Sequence, residues 1–297
     1  MTLTSPEGYS LLPQLAVEEP PTSDIRLLVL DIDGTIAGVS NQIREPVKQA
    51  VQAAQAKGVL VAIATGRMYH SAVRFHRELN CDLPLMAYQG ALIQDPVTNK
   101  IYRHWTVPME RTLALLDHFD ASPFRAELSV HLYINDQLYI RELTPASALY
   151  AERSGVTPII VGDLRRALTQ DLKTEPTKVL ALSDNVPLIS ELLSALQQRY
   201  TPAELYLTKS VATFFEAANP LVNKGTAVKA LAEDVLGLRA DQVMAIGDNF
   251  NDVEMLQYAG IGVAMGEAPL EVQAFADWVA PGVEEDGVAA AIESFVL

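Results

Sequence analysis

Three short apolar runs in this chain each stop on a polar side chain. Leu27-Leu28-Val29-Leu30 ends at Asp31, Val59-Leu60-Val61-Ala62-Ile63-Ala64 ends at Thr65, and Gln242-Val243-Met244-Ala245-Ile246 leads to Gly247-Asp248. A continuous apolar run of this length suits a strand covered on both faces, which belongs in a parallel sheet flanked by helices. Between the first two runs, Pro46 can open a helix where its missing N–H is harmless. Val47, Ala50, Val51 and Ala54 form one apolar face, and Gly58 can close the helix. Strand, helix, strand in that order is a βαβ unit with a right-handed crossover. The grammar recurs late in the chain: a helix is expected from Lys224 to about Leu236, another over residues 252–258, and a strand over 262–264. The expected fold class is therefore α/β, a doubly wound, Rossmann-like parallel sheet.

The middle of the chain follows a different rule. Residues 129–142 alternate apolar and polar around Asn135-Asp136, a hairpin pattern. Strands are expected at 177–182, 204–207 and 213–217, and a helix at 187–198. Such mixing predicts an α+β module inserted into the parallel-sheet domain. The expected division is an extension at 1–24, a first core segment at 25–107, the inserted module at 108–210 and a second core segment at 211–297. The hairpin-like stretch 88–105 fits either side.

With 297 residues, the chain is long enough for two cores. The 37 acids against 22 bases give a net charge of −15, which disfavours a general nucleic-acid partner. Residues 1–24 have no basic start and no apolar segment of signal length, and no run approaches the ~20 residues that span a bilayer, so no membrane association is expected. The single cysteine, Cys81, excludes an intrachain disulfide framework and fits a reducing cytoplasm. No feature of the sequence specifies an oligomeric state.

Ligands of open parallel sheets collect at the carboxyl ends of the strands, so Asp31, Thr65 and Asp248 are expected to share one pocket. In Asp31-Ile32-Asp33-Gly34-Thr35 the two carboxylates lie two residues apart, and an extended backbone aims them the same way. Gly34 permits a sharp turn that leaves amides free for an anion. Neighbouring carboxylates repel and call for a shared cation; a hard divalent ion, Mg²⁺ first, accepts their oxygens together with water and phosphate. Asp248 and Asp252 add carboxylates from the far side. A calcium EF-hand fails on spacing, because the sixth and twelfth positions from Asp31 are Ile36 and Gln42. A dinucleotide fingerprint fails because the glycine after Gly260 and Gly262 comes only at Gly266. The five histidines show no metal-ligand spacing, and Cys81 reads as a small buried hydrophobe. Arg67 suits either a phosphate contact or an ion pair.

Taken in order, these segments resemble the haloacid dehalogenase-like (HAD) hydrolases. Residues 31–35 are similar to the first motif of that family, Ala64-Thr65-Gly66-Arg67 to the second, Asn223-Lys224-Gly225 to the third, and 247–252 to the fourth. The long insertion between the second and third motifs resembles a type IIB cap. The run 262–269, with Glu285-Asp286-Gly287-Val288, resembles the Cof-type branch. The resemblance implies a Mg²⁺-dependent phosphatase, a phosphoric monoester hydrolase acting on a small phosphorylated metabolite such as a sugar phosphate or a nucleotide-like cofactor. It implies that Asp31 attacks phosphorus and carries an aspartyl-phosphate, and that Asp33 is the acid and base. Thr65, Gly66, Lys224 and Asn251 would hold the phosphoryl oxygens. Asp31, Asp248 and the Asp33 carbonyl would ligate the metal, with Asp252 behind them. Two departures from the branch stand out: Gln89-Gly90-Ala91 in place of Asn-Gly-Ala, and Pro220-Leu221-Val222 before Asn223. Alternative functions are a phosphomutase of the phosphomannomutase type and a noncatalytic phosphometabolite-binding regulator.

Overall fold

The computed structural model describes residues 24–297 apart from 122, 123 and 210. The expected extension at 1–24 thus lies outside the described residues except for Asp24. Its first element, β1 (Leu27–Leu30), is wholly buried. The helix Glu45–Ala56 follows with Pro46 in its first turn, and Gly58 at φ +86° ends it as the sequence predicts. The chain then forms β2 (Leu60–Ile63), the helix Tyr69–Glu78, β3 (Leu85–Ala87), β4 (Leu92–Gln94) and β5 (Ile101–His104). The last three make an antiparallel sheet that joins β2 through a parallel bridge between Ala64 and Met86. The hairpin-like stretch 88–105 therefore belongs beside the parallel sheet.

The inserted module contains β6 (Ser129–Ile134), β7 (Gln137–Ile140), β8 (Ile159–Ile160), β9 (Lys178–Leu182), β10 (Tyr206–Thr208) and β11 (Phe214–Ala218). They form one sheet in the order β10-β11-β9-β6-β7-β8, antiparallel except between β7 and β8. The strand β11 lies beyond the expected limit at 210, because it pairs on one side with β9 and on the other with β10. The predicted hairpin turns through Asn135 and Asp136, both at positive φ, the backbone a type I′ turn requires. Asp136 then reaches back, accepting hydrogen bonds from Tyr88 Oη (2.7 Å) and the His70 amide (2.8 Å).

After this module come the helix Lys224–Lys229, β12 (Val243–Gly247), the helix Val253–Tyr258, β13 (Ile261–Ala264), β14 (Trp278–Val279) and the helix Gly287–Phe295. The helix expected to run to Leu236 widens at Ala230–Val235 into a π-turn, with the Leu236 amide bonded to the Leu231 carbonyl. The five parallel strands take the order β14-β13-β12-β1-β2. Alternation explains their burial on both faces. Leu28, Leu30, Met244 and Ile246 pack with the helices 45–56 and 287–295, while Leu27, Val29, Val243 and Ala245 pack with the helices 224–229 and 253–258. Burying each such side chain contributes about 1.5–3 kcal/mol.

The second sheet is two-faced in the same way. Val179 and Ala181 meet the helices 109–120 and 186–199, and Leu180 and Leu182 join a cluster with Tyr133, Tyr88 and Leu92 that ties the module to the core. His131 is fully buried on that face, and its Nδ1 finds no hydrogen-bond partner among the described residues. Burial, with a smaller push from Lys178, drives its pKa down to about 3. The unfolded chain binds this proton near pH 6.5 and the folded chain does not. Stability from neutral His131 is thus complete above pH 6.5 and falls by about 1.4 kcal/mol per pH unit below it. Urea unfolding of His131→Asn is expected to show a shallower loss between pH 6.5 and 4.5, by about one proton; an unaltered slope rejects the assignment.

Candidate active site

Within the parallel sheet, β1 lies between β2 and β12. Connections diverge at its carboxyl end, and a crevice forms there. A cleft of about 570 Å³ opens at this point between the two sheets. Asp31, Asp33, Gly66, Asp248 and Asn251 line it. Thr65, Lys224 and Asp252 lie buried beneath, at most 1% exposed.

Asp31 is the first residue after β1, with its amide bonded to the Ile246 carbonyl, so sheet pairing sets its place. Lys224 opens its helix behind the Asn223 cap, whose side chain accepts from the Thr226 amide. A Cβ on Gly225 would stand 2.5 Å from the Glu254 carbonyl oxygen, so glycine lets this helix close on the helix Val253–Tyr258. That contact brings Lys224 Nζ to 2.6 Å from Asp31 Oδ1 and 2.5 Å from Asp252 Oδ1. The other oxygen of Asp252 accepts from the amides of Asp248 and Asn249, at 2.9 and 3.0 Å. Asp252 is therefore committed on both oxygens and shapes the loop that carries Asp248. Gly34, at φ +78°, leaves room for the Asp248 carboxylate, which a Cβ would approach to 2.2 Å.

Three carboxylates, those of Asp31, Asp248 and Asp252, offer oxygens within 4.8 Å of one another. One buried ammonium stands against them. Burial pushes Asp31 up to about 7 against the pull of Lys224, and the charges of Asp252 and Asp33 add to the rise. Asp248 is driven up to about 9, by burial first and then by Asp31 and Asp252. Burial also opposes the charge of Lys224, yet its two carboxylate partners hold its pKa well above the usual lysine range. Asp248 Oδ1 is buried without a hydrogen-bond partner among the described residues. An oxygen cluster in this state fits a hard divalent cation, which reverses the upward shifts of both acids.

Asp33 lies apart from that cluster. Its carboxylate is gripped by Arg67, with Nε to Oδ2 at 2.8 Å and Nη2 to Oδ1 at 2.5 Å, and Arg67 also donates to Asn41 Oδ1. Arg67 is thus an ion-pair partner of Asp33. Thr65 Oγ1 accepts from the Arg67 amide. Gln89, buried at φ +60°, accepts from Asn251 Nδ2 at 3.0 Å, and a Cβ on Gly66 would meet its Nε2. The longer amide in place of asparagine therefore packs between the second and fourth motifs. Two cleft residues were not singled out in the sequence, Lys178 and Glu216. The available signal was a lysine opening the otherwise apolar strand 178–182.

A hydrolase is the class of protein this arrangement defines: carboxylates at the switch point of a parallel sheet, under a second α+β layer. A family model of haloacid dehalogenase-like hydrolases matches residues 28–292. The 5-amino-6-(5-phospho-D-ribitylamino)uracil phosphatase YitU of Bacillus subtilis (strain 168) is 29% identical over 282 residues, covering 91% of this chain and 97% of that one. The solved structure of a haloacid dehalogenase-like hydrolase from Bacteroides thetaiotaomicron matches with a TM-score of 0.77 at 26% identity, over 91% of this chain and 98% of that one. The HAD subclass IIB sugar phosphatase BT4131 matches with a TM-score of 0.76 at 20% identity, over 91% of this chain and 98% of that one, a likeness of fold. The chain belongs to the haloacid dehalogenase-like hydrolases. It is an enzyme of their phosphatase type, a phosphoric monoester hydrolase with a parallel-sheet core and an inserted cap. Among the described residues, no helix is long and apolar enough to cross a membrane.

Proposed function

We propose that this phosphatase hydrolyses a small phosphorylated metabolite, a sugar phosphate or a nucleotide-like cofactor, with Mg²⁺ and through phosphorylated Asp31. The observation that carries the reading is the cluster of Asp31, Asp248 and Asp252 around one buried lysine, with an orphaned oxygen on Asp248. The cap is taken to run from residue 108 through β11, and the core to comprise the segments on either side.

Asp31 attacks phosphorus and the ester oxygen leaves, protonated by Asp33. Water, deprotonated by Asp33, then attacks the same phosphorus and frees Asp31. The acid step requires Asp33 to leave the Arg67 fork carrying a proton, so rotation toward the substrate precedes departure of the alcohol. Lys224 balances charge at Asp31 Oδ1, and the Gly66 amide, Thr65 and Asn251 steady the phosphoryl oxygens. Asp31, Asp248 and the Asp33 carbonyl are the groups proposed to hold the metal, with Asp252 bracing them. When bound, Mg²⁺ supplies positive charge where phosphate and carboxylates meet. Phosphoryl transfer depends mainly on such positioning and neutralisation.

A panel of phosphorylated metabolites, ranked by kcat/KM with Mg²⁺ and with EDTA, tests this directly. Activity is expected to vanish in EDTA and to return with Mg²⁺. Asp248→Asn is expected to raise the Mg²⁺ concentration for half-activation at least about tenfold. Full activity in EDTA rejects the metal-dependent reading.

A further inference from the structure

The roof of the cleft is the face of the cap sheet opposite the helices 109–120 and 186–199, with the helix Pro145–Ser154 along its side. Alternation along β9 sends Lys178, Leu180 and Leu182 to the cleft and Val179 and Ala181 to the helices. On β11, Glu216 pairs with Leu180 and Phe214 with Leu182, so both also face the cleft. The cleft face is thus graded. Lys178 and Glu216 form an ion pair at 3.4 Å, each side chain about 3% exposed. Beyond them lie Leu180, Tyr150 and Phe214, the two rings meeting edge to face.

Packing does not account for that ion pair. Desolvating two charges offsets most of their attraction, and an apolar pair of similar volume holds a sheet at least as well. Its position suggests what it does. Lys178 Nζ donates to the Gly66 carbonyl at 3.1 Å, one peptide unit from the amide proposed to bind the phosphoryl group. Lys178 and Glu216 share the cleft with Asp31, so a phosphoester seated on Asp31 would have its alcohol to place against them.

We propose that Lys178 and Glu216 are specificity-determining residues that read hydroxyl groups on the carbons next to the phosphoester. The ammonium donates to one hydroxyl oxygen, and the carboxylate accepts from a neighbouring hydroxyl. The substrate class is then polyol or sugar phosphomonoesters, in preference to esters of plain alkyl or aryl alcohols. An alcohol without hydroxyls excludes water from the pair and offers it no polar contact in return, a penalty that discriminates more strongly than a missing apolar contact. The inference rests on the phosphatase reading of the same site.

Glycerol 3-phosphate and n-propyl phosphate share three carbons and a phosphate and differ only in hydroxyls. With Mg²⁺, the unaltered protein is expected to favour glycerol 3-phosphate at least about 10²-fold in kcat/KM. Glu216→Gln, which keeps the volume, and Lys178→Met are each expected to cut that ratio at least about tenfold. Equal kcat/KM for the two esters in the unaltered protein overturns the proposal. So does a preference that survives both substitutions, or a loss that falls equally on both esters, the mark of a structural role. Phosphate release from p-nitrophenyl phosphate but from neither aliphatic ester overturns the proposal while sparing the phosphatase reading. Release from none of the three overturns that reading and this inference with it.

Discussion

Asp31→Asn is expected to lower Mg²⁺-dependent phosphate release at least about 10³-fold, since the amide cannot form the acyl phosphate and loss of a nucleophile removes a whole reaction path. The change preserves volume at a residue only 4% exposed, so packing is untouched. It also removes a charge that burial and the neighbouring carboxylates oppose, since the Asp31 pKa stands near 7. In the metal-free protein the melting temperature is therefore expected to hold or rise while activity disappears. Phosphate release and thermal unfolding, measured on one preparation, separate the two effects. A variant that retains more than a few per cent of the activity removes Asp31 from the role of nucleophile.

Lys224→Met carries the largest expected effect on stability. Its Nζ is fully buried between Asp31 and Asp252, at 2.6 and 2.5 Å. Methionine fills similar space but leaves two buried carboxylates facing each other, with Asp248 close by. Removing one partner of a buried ionic cluster destabilises by about 3–5 kcal/mol. For a chain of this size the melting temperature is expected to fall by roughly 10 °C. Mg²⁺ is expected to recover part of that loss, because a cation among the carboxylates favours the folded state by mass action. Thermal melts with and without Mg²⁺ read both effects. An unchanged melt in the metal-free variant means the carboxylates take up protons at no cost, and the charge balance described for the cluster then fails.

Much of this is legible in the sequence. The apolar runs that end at Asp31, Thr65 and Asp248 specify a parallel sheet, because only a strand covered on both faces lacks alternation. The Asn135-Asp136 turn was legible because few dipeptides accept two positive φ values in a row. The place of β11 was not, since a five-residue strand does not say which neighbour it joins. Nor did the sequence show that Arg67 grips Asp33, or that Gln89 braces Asn251 across 162 positions. Such contacts depend on loop geometry, and loop geometry leaves no period in the sequence.

The sequence by itself determined the fold class, the end of the sheet where the site lies, and the residues brought there. Periodicity and strand ends are local properties, and a chain writes them locally. Only the tertiary structure decided how those residues divide: Asp252 bound on both oxygens beneath the cleft, Asp248 with an oxygen to spare, Asp33 held apart by Arg67, and Lys178 with Glu216 in the roof. Burial, charge balance and distance between remote segments set that division, and they exist only once the sheets have closed on each other.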